Sequence, residues 1–265
     1  MIDSILLLVA LFLPAIVYAF IIWATLPFKA TSGRAVVSFF LLGSMSTVII
    51  KLFWAIFPGW FGEWDIGLFP KMEDYYWTSC FLKVALPEEI AKYLAFFIIF
   101  KTYFHKRNIP GVAIMFYMGL VGLSFGIIEN SGYIGMYGKG IVIVRTITSL
   151  ILHMVVGLGM GYFIGLSRYD SLDKVSSPLG LFMKDVKWLK KLIYTSTGIL
   201  LATMFHGLYN FALSISSENR YTSNMMYNEY YGDLSFPFMF LLLGLGIVGS
   251  YIGTRHLIKL YRKHN

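Results

Sequence analysis

Cysteine is almost missing from this chain: Cys80 is the only one among 265 residues. A lone thiol excludes a disulfide scaffold and any zinc site built from cysteines. Charge is scarce as well. Asp, Glu, Lys and Arg together make up 14% of the residues, against about 25% in soluble proteins. Disordered and collagen-like chains are excluded by the same balance. What fills the sequence instead is apolar: 57% hydrophobic and 18% aromatic. A single globular core of this size leaves much of its surface in water and cannot hide so much. The surplus needs an apolar solvent, and the bilayer supplies one.

Seven continuous apolar runs, at 5–26, 36–57, 81–104, 110–135, 141–167, 192–215 and 236–258, reach the roughly 20 residues that a transmembrane helix requires. They are too long and too continuous for the alternating strands of a membrane barrel. The expected fold is all-α and polytopic, one transmembrane domain over 1–265. Basic residues set its orientation. Fifteen fall in alternate gaps and the tail, while the other gaps hold only Lys71, Lys139 and Arg220. This places the N-terminus outside and the C-terminus in the cytoplasm. The net charge of +8 is thus a topology signal, and nucleic acid drops out as a partner. Asp3 and the length of the first run argue against a cleavable signal peptide. Two gaps carry structure of their own: 179–192 reads as an amphipathic interfacial helix, and the Tyr- and Asn-rich 216–235 as a cap over the outer side.

Ionisable groups inside spans cost about 2.5–3.5 kcal/mol each on insertion scales, so each is a functional hypothesis. Glu88, Glu89 and Glu129 are the acids within spans, and Lys51, Lys83, Lys92, Arg145, His153 and His206 the basic or imidazole groups. Lys51, Lys83 and Arg145 suit snorkelling toward the interface. The others share a depth. At 1.5 Å per residue, Glu88 and Glu89 lie roughly 10–12 Å below the outer end of their span, Glu129 about 9 Å, Asn210 about 8 Å, His206 about 14 Å and His153 about 18 Å. Four helices therefore offer polar groups to one band in the outer half of the bilayer.

Spacing adds chemistry. Lys92 is i,i+4 from Glu88 and i,i+3 from Glu89, within reach of both carboxylates. Two adjacent carboxyls in low dielectric resist double ionisation, while a lysine favours the ionised form of one. The pair can supply one acid and one base. His206 and Asn210, i,i+4 in His-Gly-Leu-Tyr-Asn, can present donors to a developing oxyanion. Pro87 fits a first turn or a kink. On residue type alone Phe125 is packing, His153 is as well satisfied by a carbonyl, and Gly157, Gly161 and Gly165 form a stripe for close helix packing.

Taken in order, Pro-Glu-Glu-Ile-Ala-Lys (87–92), Phe-Gly-Ile-Ile-Glu-Asn (125–130), Arg145 with His153, and His206 with Asn210 resemble the motifs of the PrsW family of glutamic intramembrane proteases. That family lies within the broader CAAX-protease and bacteriocin-processing superfamily. The resemblance covers about 80–215. It implies peptide-bond hydrolysis without a metal or other cofactor, with Glu88 as base toward water and Glu89 its partner held by Lys92. It further implies that Glu129 helps to hold the water, that His206 and Asn210 stabilise the oxyanion, and that His153, Arg145 and Phe125 support the site. The implied substrate is a single-pass membrane protein of the anti-sigma-factor kind, cut near the outer face of a bacterial cytoplasmic membrane. Two other readings fit the same polar residues. One is a zinc-dependent peptidase with Glu129, His153 and His206 as ligands, although no H-E-x-x-H occurs. The other is a proton-coupled transporter or lipid-binding protein.

Overall fold

A computed structural model of the chain describes residues 2–24, 33–61, 77–104, 109–169, 187–218 and 225–264. Helices account for nearly all of it, and no strand occurs among the described residues. The order is α1 (Ile2–Ala24), α2 (Gly33–Leu42), α3 (Met45–Ile56), a π-helical segment (Thr78–Ala85), α4 (Leu86–Phe104), α5 (Gly111–Tyr137), α6 (Val142–Ile147), α7 (Ser149–Leu166), α8 (Lys187–Glu218) and α9 (Met225–His264). Large apolar side chains face outward along the helices: Leu13, Phe20, Leu41, Ile56, Ile143 and Ile252 are all more than half exposed. In water this would be one continuous aggregation surface; in a bilayer it is the lipid face. The protein is an all-α membrane protein.

By length and composition four segments can cross a membrane: Gly33–Ile56, Gly111–Tyr137, Lys139–Leu166 and Pro237–Lys263. The other expected spans are helical but less clear by that measure. Glu88, Glu89 and Lys92 sit in the first turns of α4; Thr, Ser, His and Asn dilute α8; and the apolar part found for α1 is Val9–Ile21. Two expected spans are also broken. The second parts at Gly43–Ser44 into α2 and α3, where the hydroxyls of Ser44, Ser46 and Thr47 bond back to carbonyls three residues earlier. The fifth parts at Thr148, whose hydroxyl bonds back to the carbonyl of Val144. Such bonds compete with the helical ladder and bend it. Most of the expected interfacial helix at 179–192, and the side chains of the expected cap at 216–235, lie outside the described residues.

The bundle is built around α5, whose residues Gly111 to Ile127 are buried without exception. A helix apolar on every face must be surrounded, and α1, α2, α3, α4, α7 and α9 all pack on it. Its contact with α7 is the closest. A β-carbon on Gly157 would come within 2.6 Å of the Met118 carbonyl, and one on Gly161 within 2.7 Å of Met115 Cα. Gly165 meets the Gly111 backbone, and Gly122 meets the His153 carbonyl. The glycine stripe thus brings two backbones together and sets His153 against the middle of α5.

The π-helical segment ends at the start of α4, immediately before Pro87. A proline inside an α-helix removes one ladder bond and presses its ring on the carbonyl four residues back. Here the backbone widens instead, and Leu86 N–H reaches Phe81 O, five residues away. Single π turns are frequent at functional sites. This one positions Glu88 and Glu89 in the first turn of α4, and lays the Phe81 ring against Gly207 of α8.

Candidate active site

The polar residues of α4, α5, α7 and α8 meet in one buried cluster. Lys92 is its hub, with no exposed surface. Its Nζ donates to Glu89 Oε1 at 2.6 Å, lies 3.0 Å from His153 Nδ1 and sits 4.2 Å above the Phe125 ring. An ammonium can only donate, so His153 Nδ1 accepts and its Nε2 carries the hydrogen. That Nε2–H points to Glu129 Oε2 at 2.8 Å. Phe125 also packs edge-on against the His153 ring, so its wall is a cation–π surface as well as packing.

Glu129 Oε2 is held from three sides, by Arg145 Nη2 at 2.9 Å, Ser149 Oγ at 3.3 Å and His153. Arg145 also donates from Nε to Asn130 Oδ1 at 2.8 Å, and its guanidinium lies 3.7 Å above the Tyr133 ring. The snorkelling expected for Arg145 is therefore overturned: this side chain turns into the bundle, where a carboxylate and an amide oxygen match its planar donors. Lys83 is likewise buried, whereas Lys51 is exposed. His153 is satisfied by Glu129 and Lys92 rather than by a carbonyl.

His206 completes the arrangement. Its Nδ1 lies 2.8 Å from Glu89 Oε1, and its ring stands at right angles to that of His153, 5.1 Å away. Glu89 Oε1 already accepts from Lys92, so His206 Nδ1 is the donor and Nε2 is left as an acceptor. Glu88 stands apart. Its Oε2 is buried, no hydrogen-bond donor reaches it among the described residues, and both His206 Nε2 and Lys92 Nζ lie 3.9 Å away.

A cavity of about 220 Å³ opens onto this cluster; its wall includes Glu129, His153, His206 and Asn210. Glu88 and Glu89 are not among the residues that line it. Glu88, Glu89, Lys92, Phe125, Glu129, Arg145, His153, His206 and Asn210 all belong to the cluster or its cavity; Lys51 and Lys83 do not line that cavity. Sequence reasoning missed Ser149, Asn130 and Tyr133, the partners of Glu129 and Arg145. One signal was available: Arg145, Ser149 and His153 recur every four residues, along one face of a helix.

Comparison with known proteins bears on the family. A family model described as PrsW family intramembrane metalloprotease matches residues 31–243. Protease PrsW of Shouchella clausii (strain KSM-K16) is 30% identical over 138 residues, which are 52% of this chain and 55% of that protein. The chain thus matches about half the length of that relative. No solved structure matches it.

Proposed function

Since the chain belongs to the PrsW family by its match over residues 31–243, we propose that it is an intramembrane endopeptidase working by glutamate-activated water. The observation that carries this reading is Glu88 Oε2, buried with no donor on it among the described residues and facing His206 Nε2 across 3.9 Å. That separation is too long for a direct bond and matches two groups sharing one water. A water there donates one hydrogen to Glu88 Oε2 and the other to His206 Nε2, which leaves a lone pair for attack.

The oxygen of this water bonds to the scissile carbonyl carbon as its proton passes to Glu88. Asn210, on the cavity wall, donates to the resulting oxyanion. Collapse breaks the C–N bond, and Glu88 returns the proton to the leaving nitrogen, giving one new carboxyl and one new amino terminus. Because its Nδ1–H is turned to Glu89, we assign His206 to the water rather than to the oxyanion. Glu129, Arg145 and Lys92 position the histidines.

The finer reading has seven spans, the N-terminus outside, and a single-pass membrane substrate cut near the outer face after local unwinding of its helix. The basic residues in alternate gaps support that orientation. Labelling single cysteines placed in 58–76, in a Cys80→Ser background, checks it; a cytoplasmic 58–76 reverses the assignment of the cut face.

The family description names a metal, and the donors fit one. Glu88, His153 and His206 each offer a ligand atom, all within 4.8 Å of one another, and Glu89 backs His206 as outer carboxylates back metal-bound histidines. A zinc ion held by these three would supply Lewis acidity and an acidified water. One feature favours the metal-free reading: the Lys92 ammonium stands 3.9 Å from Glu88 Oε2 and 3.0 Å from His153 Nδ1, where it repels a second cation.

Both readings meet one experiment. Membranes with equal amounts of wild type and Glu88→Gln are compared for new peptide termini in single-pass proteins, with and without a membrane-permeant chelator. Termini that need Glu88 and survive chelation support the glutamate reading; their loss on chelation transfers the chemistry to a metal. Identical termini in wild type and variant refute the peptidase.

A further inference from the structure

A second cavity, of about 670 Å³, lies at the opposite end of the same helices. Its inner wall is apolar, with Phe100, Ile164 and Ile199 among the lining, and its rim carries Lys101, Arg168 and Lys191. All three basic residues are exposed, and among the described residues none that lines the cavity is acidic. Two of the cations lie along the aromatic wall: Lys101 Nζ is 5.5 Å from the Phe97 ring centroid, and Arg168 Cζ 5.9 Å from that of Phe100. Trp188, 67% exposed, stands at the same mouth, as tryptophans do at a membrane interface.

An apolar cleft rimmed by three cations, with no carboxylate among its described lining residues, is complementary to one kind of molecule: acyl chains joined to an anionic head. We propose that this cleft binds one anionic glycerophospholipid of the adjoining leaflet, its phosphate among Lys101, Arg168 and Lys191 and its chains along the Phe100–Ile164–Ile199 wall. Basic pockets between transmembrane helices recognise anionic headgroups in this way. The placement also has a consequence for the fold. Lys101 lies 13 residues along α4 from Glu88, Arg168 lies 15 beyond His153, and Lys191 lies 15 before His206. At 1.5 Å per residue these separations are all about 20–22 Å. A single headgroup therefore joins the far ends of the three helices that carry the carboxylate pair and both histidines. This inference concerns lipid binding and stands independently of the peptidase reading.

The test is native mass spectrometry of the full-length protein in detergent, titrated with dioleoyl phosphatidylglycerol, dioleoyl phosphatidylcholine or inorganic phosphate. One phosphatidylglycerol is expected to stay bound where phosphatidylcholine does not. Near a membrane surface each cation contributes about 1 kcal/mol toward anionic lipid, so each single variant, Lys101→Gln, Arg168→Gln or Lys191→Gln, should weaken binding about fivefold. Lys259→Gln/Arg262→Gln/Lys263→Gln removes three charges elsewhere on the chain and should leave binding within twofold. Equal retention of phosphatidylcholine, unchanged binding by the three single variants, or equal loss in the tail variant would overturn the proposal. Full displacement of the lipid by inorganic phosphate would make this a free-anion site and overturn it as well.

Discussion

Lys92→Met is the substitution whose cost the structure constrains most tightly. The wild-type ammonium has no exposure; it bonds Glu89 Oε1 at 2.6 Å and His153 Nδ1 at 3.0 Å. Methionine keeps the stem and removes the charge. Glu89 is then left ionised and buried with only His206 against it, and His153 Nδ1 loses its donor. Breaking a buried ion pair from one side costs about 3–5 kcal/mol. The companion change, Glu89→Gln, leaves an amide oxygen for His206 Nδ1 but strands the ammonium. With both substitutions neither member of the Glu89–Lys92 pair is left charged without the other, so the double variant should be more stable than Lys92→Met alone by about 2 kcal/mol, with a coupling of at least about 1.5 kcal/mol. Titration with SDS in mixed micelles, followed by far-ultraviolet circular dichroism, reads all four corners of the cycle. If Lys92→Met costs less than about 1 kcal/mol, or if the two changes add to within about 0.5 kcal/mol, the ammonium is not the hub described here.

Four further outcomes follow from the same contacts. Glu88→Gln should abolish cleavage while leaving the SDS midpoint within about 0.5 kcal/mol of wild type, because Oε2 has no donor to lose. Asn210→Ala should lower kcat about 10²-fold with KM little changed, the signature of a group acting on the transition state; an effect on KM alone refutes the oxyanion role. Arg145→Lys should not rescue Arg145→Met in cleavage assays, since one ammonium cannot serve Asn130 Oδ1 and Glu129 Oε2 from the directions that Nε and Nη2 occupy. Gly161→Leu should lower the midpoint by about 1–3 kcal/mol, as overpacking does, or prevent folding; its β-carbon alone would stand 2.7 Å from Met115 Cα, and an unchanged midpoint would show that α5 and α7 are not so close.

The helices and the membership of the site were legible in the sequence because both are written in local chemistry. Apolar runs mark helices, and a charge within such a run is too costly to be placed idly. The stripe of Gly157, Gly161 and Gly165 likewise announced a close helix contact. What could not be read was pairing between helices. Arg145 and Lys83 near span ends fit snorkelling equally well until the surroundings are known, and Arg145 finds Glu129 through a turn whose geometry no periodicity encodes. The breaks at Gly43–Ser44 and Thr148 depend on hydroxyls choosing carbonyls three or four residues back, a choice that Ser and Thr also decline in many helices. The π turn before Pro87 is one of two answers to a proline at that place. Which histidine nitrogen bears the hydrogen follows only from Lys92 lying beside His153 and Glu89 beside His206.

Three carboxylates within the bundle, Glu88 and Glu89 buried and Glu129 on the cavity wall, would be prohibitive if each had to be carried alone, and the cluster distributes them unequally. Glu89 accepts from Lys92 and His206; Glu129 accepts from Arg145, Ser149 and His153. These two are locked, and locking them fixes both imidazoles in tautomer and direction. Glu88 is 4% exposed; no hydrogen-bond donor reaches its Oε2 among the described residues, and Lys92 Nζ and His206 Nε2 each stand 3.9 Å from it. A buried polar atom left unsatisfied costs about 1–3 kcal/mol; Glu88 Oε2 and Glu89 Oε2 are both such atoms among the described residues, but Glu89 is held through its other oxygen. The bonded carboxylates are therefore framework: removing either should be felt first in stability. In the proposed mechanism Glu88 is the reactive group, and its removal should be felt first in chemistry. On this argument the order of the two glutamates in Pro-Glu-Glu follows from the helix itself, since one position of the first turn of α4 faces Lys92 and His206 closely and its neighbour does not.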